Sequence, residues 1–203
     1  MNLVKRAKNI LLTPRKEWQA IKTEPLTVAG VFAKYAMILA AIPALAGFIG
    51  YSLVGVSLPF FGTFRYPASR GLLWALLTYV LSLAGAFLLT LVVDALAPRF
   101  GASKNLAASA KAVVFAHTAA WVGGIFAVLP SLSILVTLAG VYSLVLLWLG
   151  IKALKEVPAG KMAGYFVVIL IAAVALFFVI GLAVSSLAFG GGAAAGVFGA
   201  PNP

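Results

Sequence analysis

The chain has 203 residues, 64% of them hydrophobic and 9% charged, with fifteen Lys and Arg against four Asp and Glu, one His and no Cys. Too few polar residues remain to cover a large soluble β or α/β domain, and the length leaves room for one membrane domain and no second folded unit. Without Cys, disulfides and thiolate chemistry play no part, and the long uninterrupted apolar runs do not have the ten-residue alternation of a membrane barrel.

The first twenty-four residues are the only sizeable polar segment. Leu3, Ala7, Ile10 and Leu11 recur at helical spacing with Lys5, Arg6, Lys8 and Asn9 on the other side, which predicts a helix lying on the membrane. Thr13 then reads as an N-cap and Pro14 as the first residue of a second short helix, with Glu17 in its first turn and Trp18 and Ile21 as an apolar edge. Each basic side chain near anionic lipid is worth about 1 kcal/mol, so Lys5, Arg6, Lys8, Arg15 and Lys16, with Trp18, form an expected interfacial anchor. A docking surface for a cytoplasmic partner is the alternative reading of the segment. Its six basic residues over twenty-two positions, with no small-residue cleavage site after a short apolar run, do not read as a secretory signal.

Five spans follow. From Ala112 to Ile151 forty residues pass without Asp, Glu, Lys or Arg. One helix of that length would reach ~60 Å, about twice the ~30 Å hydrocarbon core. The chain is therefore expected to turn back at Leu129-Pro130-Ser131, where Pro cannot continue the first helix and Ser can cap the next. Similar charge-free runs begin at Tyr35, Gly71 and Met162, the last becoming too Gly-rich near its end for a good helix. The expected spans are 28–54, 71–97, 106–129, 131–152 and 162–189. The fold class is thus all-α integral membrane, with five transmembrane helices and an N-terminal amphipathic interfacial helical segment. It divides into a cytoplasmic basic segment over 1–27, a five-span membrane domain over 28–190 and a flexible outer tail over 191–203.

Charge placement sets the expected orientation. With the N-terminus in the cytoplasm, that side holds Lys5, Arg6, Lys8, Arg15, Lys16, Lys22, Arg99, Lys104, Lys111, Lys152, Lys155 and Lys161, and the outer side only Arg65 and Arg70. Twelve against two predicts a multi-pass inner-membrane protein, N-terminus in and C-terminus out. The basic excess therefore reflects membrane topology and anionic lipid, and no basic stripe interleaved with stacking aromatics points to nucleic acid.

Within the spans, Ala108, Ala112, Ala116, Ala120 and Gly124 follow one another every four residues, a smooth stripe that lets another helix approach closely. Ala36, Ala40 and Ala44 repeat it more weakly in span one. These stripes are expected to pack spans within one chain, with a homo-oligomer interface as the alternative. Pro43 is expected to bend span one, its freed carbonyl met by a neighbouring helix. Lys34, Asp94, Lys111 and His117 lie within or at the edge of the spans and form the candidate polar cluster, because a charge at membrane depth is costly and faces the bundle interior or water. Asp94 could pair with Lys34 or Lys111, the lysines could snorkel, or Asp94 could belong to a proton or ion relay.

The chemistry of an enzyme is harder to assemble. Zinc needs several N, O or S ligands, whereas the chain offers no Cys, one His and one intramembrane acid. Nucleophilic catalysis lacks an imidazole near that acid, and Gly190-Gly191-Gly192 belongs to an apolar tail rather than a phosphate loop. Neither catalysis nor a cofactor is expected.

Thr13-Pro14-Arg15-Lys16-Glu17-Trp18 ahead of five spans, Ala97-Pro98-Arg99-Phe100-Gly101 after span two, Leu129-Pro130 at the tight turn, and Gly140-Val141-Tyr142 with Gly150 in span four recur together over nearly the whole chain. In these motifs and their order the chain resembles the bacterial branch of the Yip family, the Ypt/Rab-interacting integral membrane proteins. The resemblance implies a small integral membrane protein with a cytoplasmic N-terminus, whose eukaryotic relatives act in vesicle trafficking and bind Rab-type GTPases. Two motifs depart from the pattern. Before span one the chain has Glu24-Pro25-Leu26 in place of an acidic-Leu-Tyr-Gly-Pro motif, and in span three it has Phe115-Ala116-His117-Thr118 with no Pro until Pro130. The expected function is a non-enzymatic adaptor or membrane-organising role, with membrane lipids and a membrane or cytoplasmic protein as partners. The runner-up is a small transporter, channel or lipid-moving protein with a polar path near Asp94 and His117.

Overall fold

The computed structural model describes residues 2–58, 60 and 62–189; the expected outer tail over 191–203 lies outside them. Five helices are long and apolar enough to cross a membrane: span one, Val28–Val54; span two, Ala68–Phe100; span three, Leu106–Val128; span four, Pro130–Leu154; and span five, Ala159–Phe189. Two short helices precede them, α1 over Leu3–Leu12 and α2 over Pro14–Thr23. The link between spans one and two forms a small antiparallel hairpin of β1, Val56–Leu58, and β2, Gly62–Phe64.

The cap residues account for most helix ends. The Asn2 carboxamide accepts from the Lys5 amide and starts α1, Pro14 opens α2, and Asn105 accepts from the Ala108 amide to start span three. Thr13 does not cap α2 as expected, because its hydroxyl is turned back to donate to the Asn9 carbonyl and so closes α1 instead. At the tight turn Ser131 is likewise no cap. Pro130–Leu132 forms a 3-10 turn, and the α-helix of span four begins at Ser133.

Span three is the centre of the bundle. Every residue from Ala108 to Ala116 is buried, whereas spans two, four and five each turn a face of large apolar side chains outward to lipid. The stripe of Ala108, Ala112, Ala116, Ala120 and Gly124 faces its neighbours within the same chain. A Cβ on Gly124 would lie 2.5 Å from the Cβ of Pro43 in span one, and the Ala120 amide donates to the Ser143 hydroxyl of span four at 2.9 Å. Apolar burial supplies little drive inside lipid, so such close van der Waals contact is a main source of association. Gly124→Ala is accordingly expected to overpack the contact by ~1–3 kcal/mol and lower the melting temperature in mild detergent. Gly140→Ala, whose Cβ would meet nothing within 4 Å, is the control expected to leave it unchanged or raise it.

Span one is irregular at three places. It carries π-helical segments at Phe32–Ala36 and Ile49–Val54, and its α-helix breaks at Ala40. The Pro43 ring lacks an N–H and crowds the carbonyl one turn earlier, which accounts for the break. The Tyr79 hydroxyl of span two donates to the Met37 carbonyl at 3.1 Å beside it. Span three is also interrupted: its α-helix stops at Ala116 and resumes at Thr118, leaving His117 at the joint. The two irregular segments meet there. The Tyr35 and Thr118 hydroxyls hydrogen-bond at 2.8 Å, and the Tyr35 ring packs edge-on against Phe115. Irregular backbone at membrane depth is tolerated only where protein or a cavity surrounds it, and both conditions are found here.

Candidate functional site

The four residues expected to form one polar cluster occupy separate places. Asp94 lies near the end of span two, yet its partner is neither Lys34 nor Lys111. Lys155, just past the end of span four, turns back into the bundle and places its Nζ 3.1 Å from Asp94 Oδ1. The same ammonium donates to the Ser109 hydroxyl and the Ser103 carbonyl, and Asp94 accepts from the Asn105 amide at 2.8 Å and from the Ser109 hydroxyl at 3.0 Å. This knot joins spans two, three and four at the end of the bundle that carries α1 and α2. The Lys155 side chain is 1% exposed, a burial that a cation sustains only when paired and fully hydrogen-bonded.

Lys111 is buried as well, but it meets backbone: its Nζ donates to the carbonyls of Ile21 and Glu24 at 2.9 and 3.0 Å. Those carbonyls end α2, where a cation is favoured by the free carbonyls and by the negative end of the helix dipole. Lys34 is exposed on span one and takes no part.

The expected interfacial anchor also divides. Lys5, Lys8, Arg15 and Lys16 are exposed, but Arg6 and Trp18 face into the bundle. Arg6 bridges Glu17, at 2.6 Å, and Glu24, while its guanidinium lies 5.6 Å from the centre of the Phe115 ring of span three. Two carboxylates and an aromatic face compensate the buried charge. Trp18 lies on Gly150 of span four and edge-on to Phe115, and the Tyr142 hydroxyl donates to the Leu11 carbonyl. The helix pair is thus clamped to spans three and four. At its exposed edge Lys22 pairs with Glu156 at 2.9 Å and holds that carboxyl below the usual carboxylate range.

His117 sits elsewhere. It lines a cavity of about 380 Å³ bounded by residues of all five spans, among them Pro43, Ser82, Trp121, Ser143 and Phe177. Its Nδ1 is 2.8 Å from the Val113 carbonyl, and its ring packs against Trp121 and Phe177. Asp94 does not line this cavity, so the two residues bracketing the expected polar path do not share a space. Sequence reasoning missed Lys155, Glu17, Glu24 and Tyr35 as structural polar groups, and it missed the cavity.

Comparison with curated proteins and with solved structures gave no match. A family model described as the Yip1 domain matches residues 8–183, a stretch that takes in α2, the clamp between Trp18 and Gly150, spans one to four and most of span five. This multi-pass membrane protein therefore belongs to the Yip1-domain family.

Proposed function

We infer that the chain is a non-enzymatic inner-membrane protein of the Yip type with an adaptor or membrane-organising role, and that its working surface is the basic platform made by α1 and α2. The clamp supports this most directly. Arg6, Trp18, Lys111 and Tyr142 fix both helices to the bundle, which leaves Lys5, Lys8, Arg15 and Lys16 exposed on a rigid base. Val4 and Leu12 stand exposed among them, an apolar edge suited to the acyl boundary of a leaflet. The bacterial branch of the family, the cytoplasmic N-terminus and the outer C-terminus belong to the same reading, on the strength of the sequence motifs and the twelve-to-two basic asymmetry. The partners it fits are anionic lipid and an acidic membrane or cytoplasmic protein that reads the same cations. An ion path through Asp94 has less support, since Lys155, Asn105 and Ser109 occupy its carboxylate.

Leu12→Cys gives a single reporter thiol in a chain without cysteine. A fluorophore there is expected to report an apolar setting in vesicles containing phosphatidylglycerol, and a wetter one in pure phosphatidylcholine, at high salt, or when Lys5, Lys8, Arg15 and Lys16 are changed to Glu. A membrane-impermeant thiol reagent should reach the same site in inside-out vesicles only. Equal signals in neutral and anionic vesicles would remove the lipid platform, and labelling from the outer side would reverse the topology.

A further inference from the structure

The cavity around His117 is partly open, has room for a small ligand and carries a few polar groups on its wall, His117 and Ser143 among them. Its size falls in the ordinary range for small-molecule sites, and its walls are almost wholly apolar. It lies near the middle of the bilayer, since His117 stands at the centre of span three. The polar groups decide what it can take. The Val113 carbonyl can only accept, so His117 Nδ1 carries the proton and donates. No charged side chain lines the cavity, and the imidazole is therefore held neutral, with Nε2 an acceptor that has no partner among the described residues. Ser143 is buried, and its oxygen already accepts from the Ala120 amide, which leaves its hydroxyl hydrogen to donate.

An acceptor and a donor on the wall of one apolar cavity match a hydroxyl group, which both donates and accepts. An ester carbonyl, the polar group of an ordinary acyl chain, accepts only and would leave Nε2 unmatched. An anionic headgroup has no cation to meet. His117 stands where the α-helix of span three is interrupted between Ala116 and Thr118. We propose that this cavity is a binding site for a neutral lipid bearing a hydroxyl group, with the hydroxyl donating to His117 Nε2 and accepting from Ser143, and the hydrocarbon body leaving between the spans. The site is separate from the basic platform and does not rest on its function.

The test uses the whole protein in nanodiscs with a hexadecanol analogue carrying a photoreactive diazirine near its hydroxyl end. The label is expected on residues of the cavity wall. Unlabelled hexadecanol should compete about tenfold better than hexadecyl methyl ether, which keeps the chain but has no proton to give; a buried acceptor left unmatched accounts for a factor of that size. His117→Phe keeps an apolar ring among Trp121 and Phe177, and should keep the label while abolishing the preference for alcohol over ether. Gly140→Leu enters the cavity without meeting backbone, because a Cβ there has nothing within 4 Å, and should abolish the label. Equal competition by alcohol and ether on the unaltered protein would overturn the proposal whatever the variants do. So would labelling confined to residues outside the cavity, or full labelling of a folded Gly140→Leu protein.

Discussion

Asp94→Asn is expected to lower stability by about 3 kcal/mol, and adding Lys155→Met to restore most of the loss. The asymmetry follows from what each change leaves behind. Asn can still accept from the Asn105 amide and the Ser109 hydroxyl, but it removes the one carboxylate that, among the described residues, pairs with an ammonium whose side chain is 1% exposed. The neutral oxygens of Ser103, Ser109 and Asn105 then remain as its company. Met at 155 removes the buried charge itself and fills much of the same volume. Lys111→Met should rescue nothing, since Lys111 is bound to the carbonyls of Ile21 and Glu24, and Lys34→Met should rescue nothing because Lys34 is exposed. Melting temperatures of the four double and single variants in mild detergent check this. A stably folded Asp94→Asn protein that loses a pH-dependent flux in proteoliposomes would instead make Asp94 part of a path.

Those partners show where a sequence stops being legible. The spans could be read because charge is nearly forbidden in hydrocarbon, so their limits are written as the positions of Lys, Arg, Asp and Glu. The reading began spans two and five three residues late, since Ala68-Ser69-Arg70 and Ala159-Gly160-Lys161 belong to helices that charge alone would end. Lys155 had to be missed for the opposite reason. It lies one residue past the helix of span four, beside Glu156 and Pro158, where a basic residue reads as solvated, and its partner is sixty-one positions away. Arg6 carried a signal that charge obscured. It stands three residues after Leu3 and four before Ile10, on the face that α1 buries, and Glu17 and Glu24 are the two acids within reach. The cavity was not legible because its walls come from all five spans; Pro43 marked the bend of span one, but nothing in the sequence marked the break at His117.

The clamp of α2 on span four yields the second large effect. Trp18 is 1% exposed, and its indole lies so close over Gly150 that a Cβ there would come within 2.7 Å of the ring. Trp18→Ala is expected to cost about 3–5 kcal/mol at this contact, the usual loss for a large buried side chain. The loss falls on the docking of α1 and α2, since the spans keep their own contacts. Arg15, Lys16 and Lys22 should then become sites of rapid tryptic cleavage while the five-span core resists, and amides of α2 should exchange faster. Gly150→Ala attacks the same contact from the other side by pushing the indole away, with a smaller effect. In the double variant the added methyl finds the space that the indole vacated. Its cleavage rate should therefore equal that of Trp18→Ala alone rather than exceed it. Additive effects would mean that Trp18 and Gly150 act at separate contacts, and the rigid platform would lose its foundation.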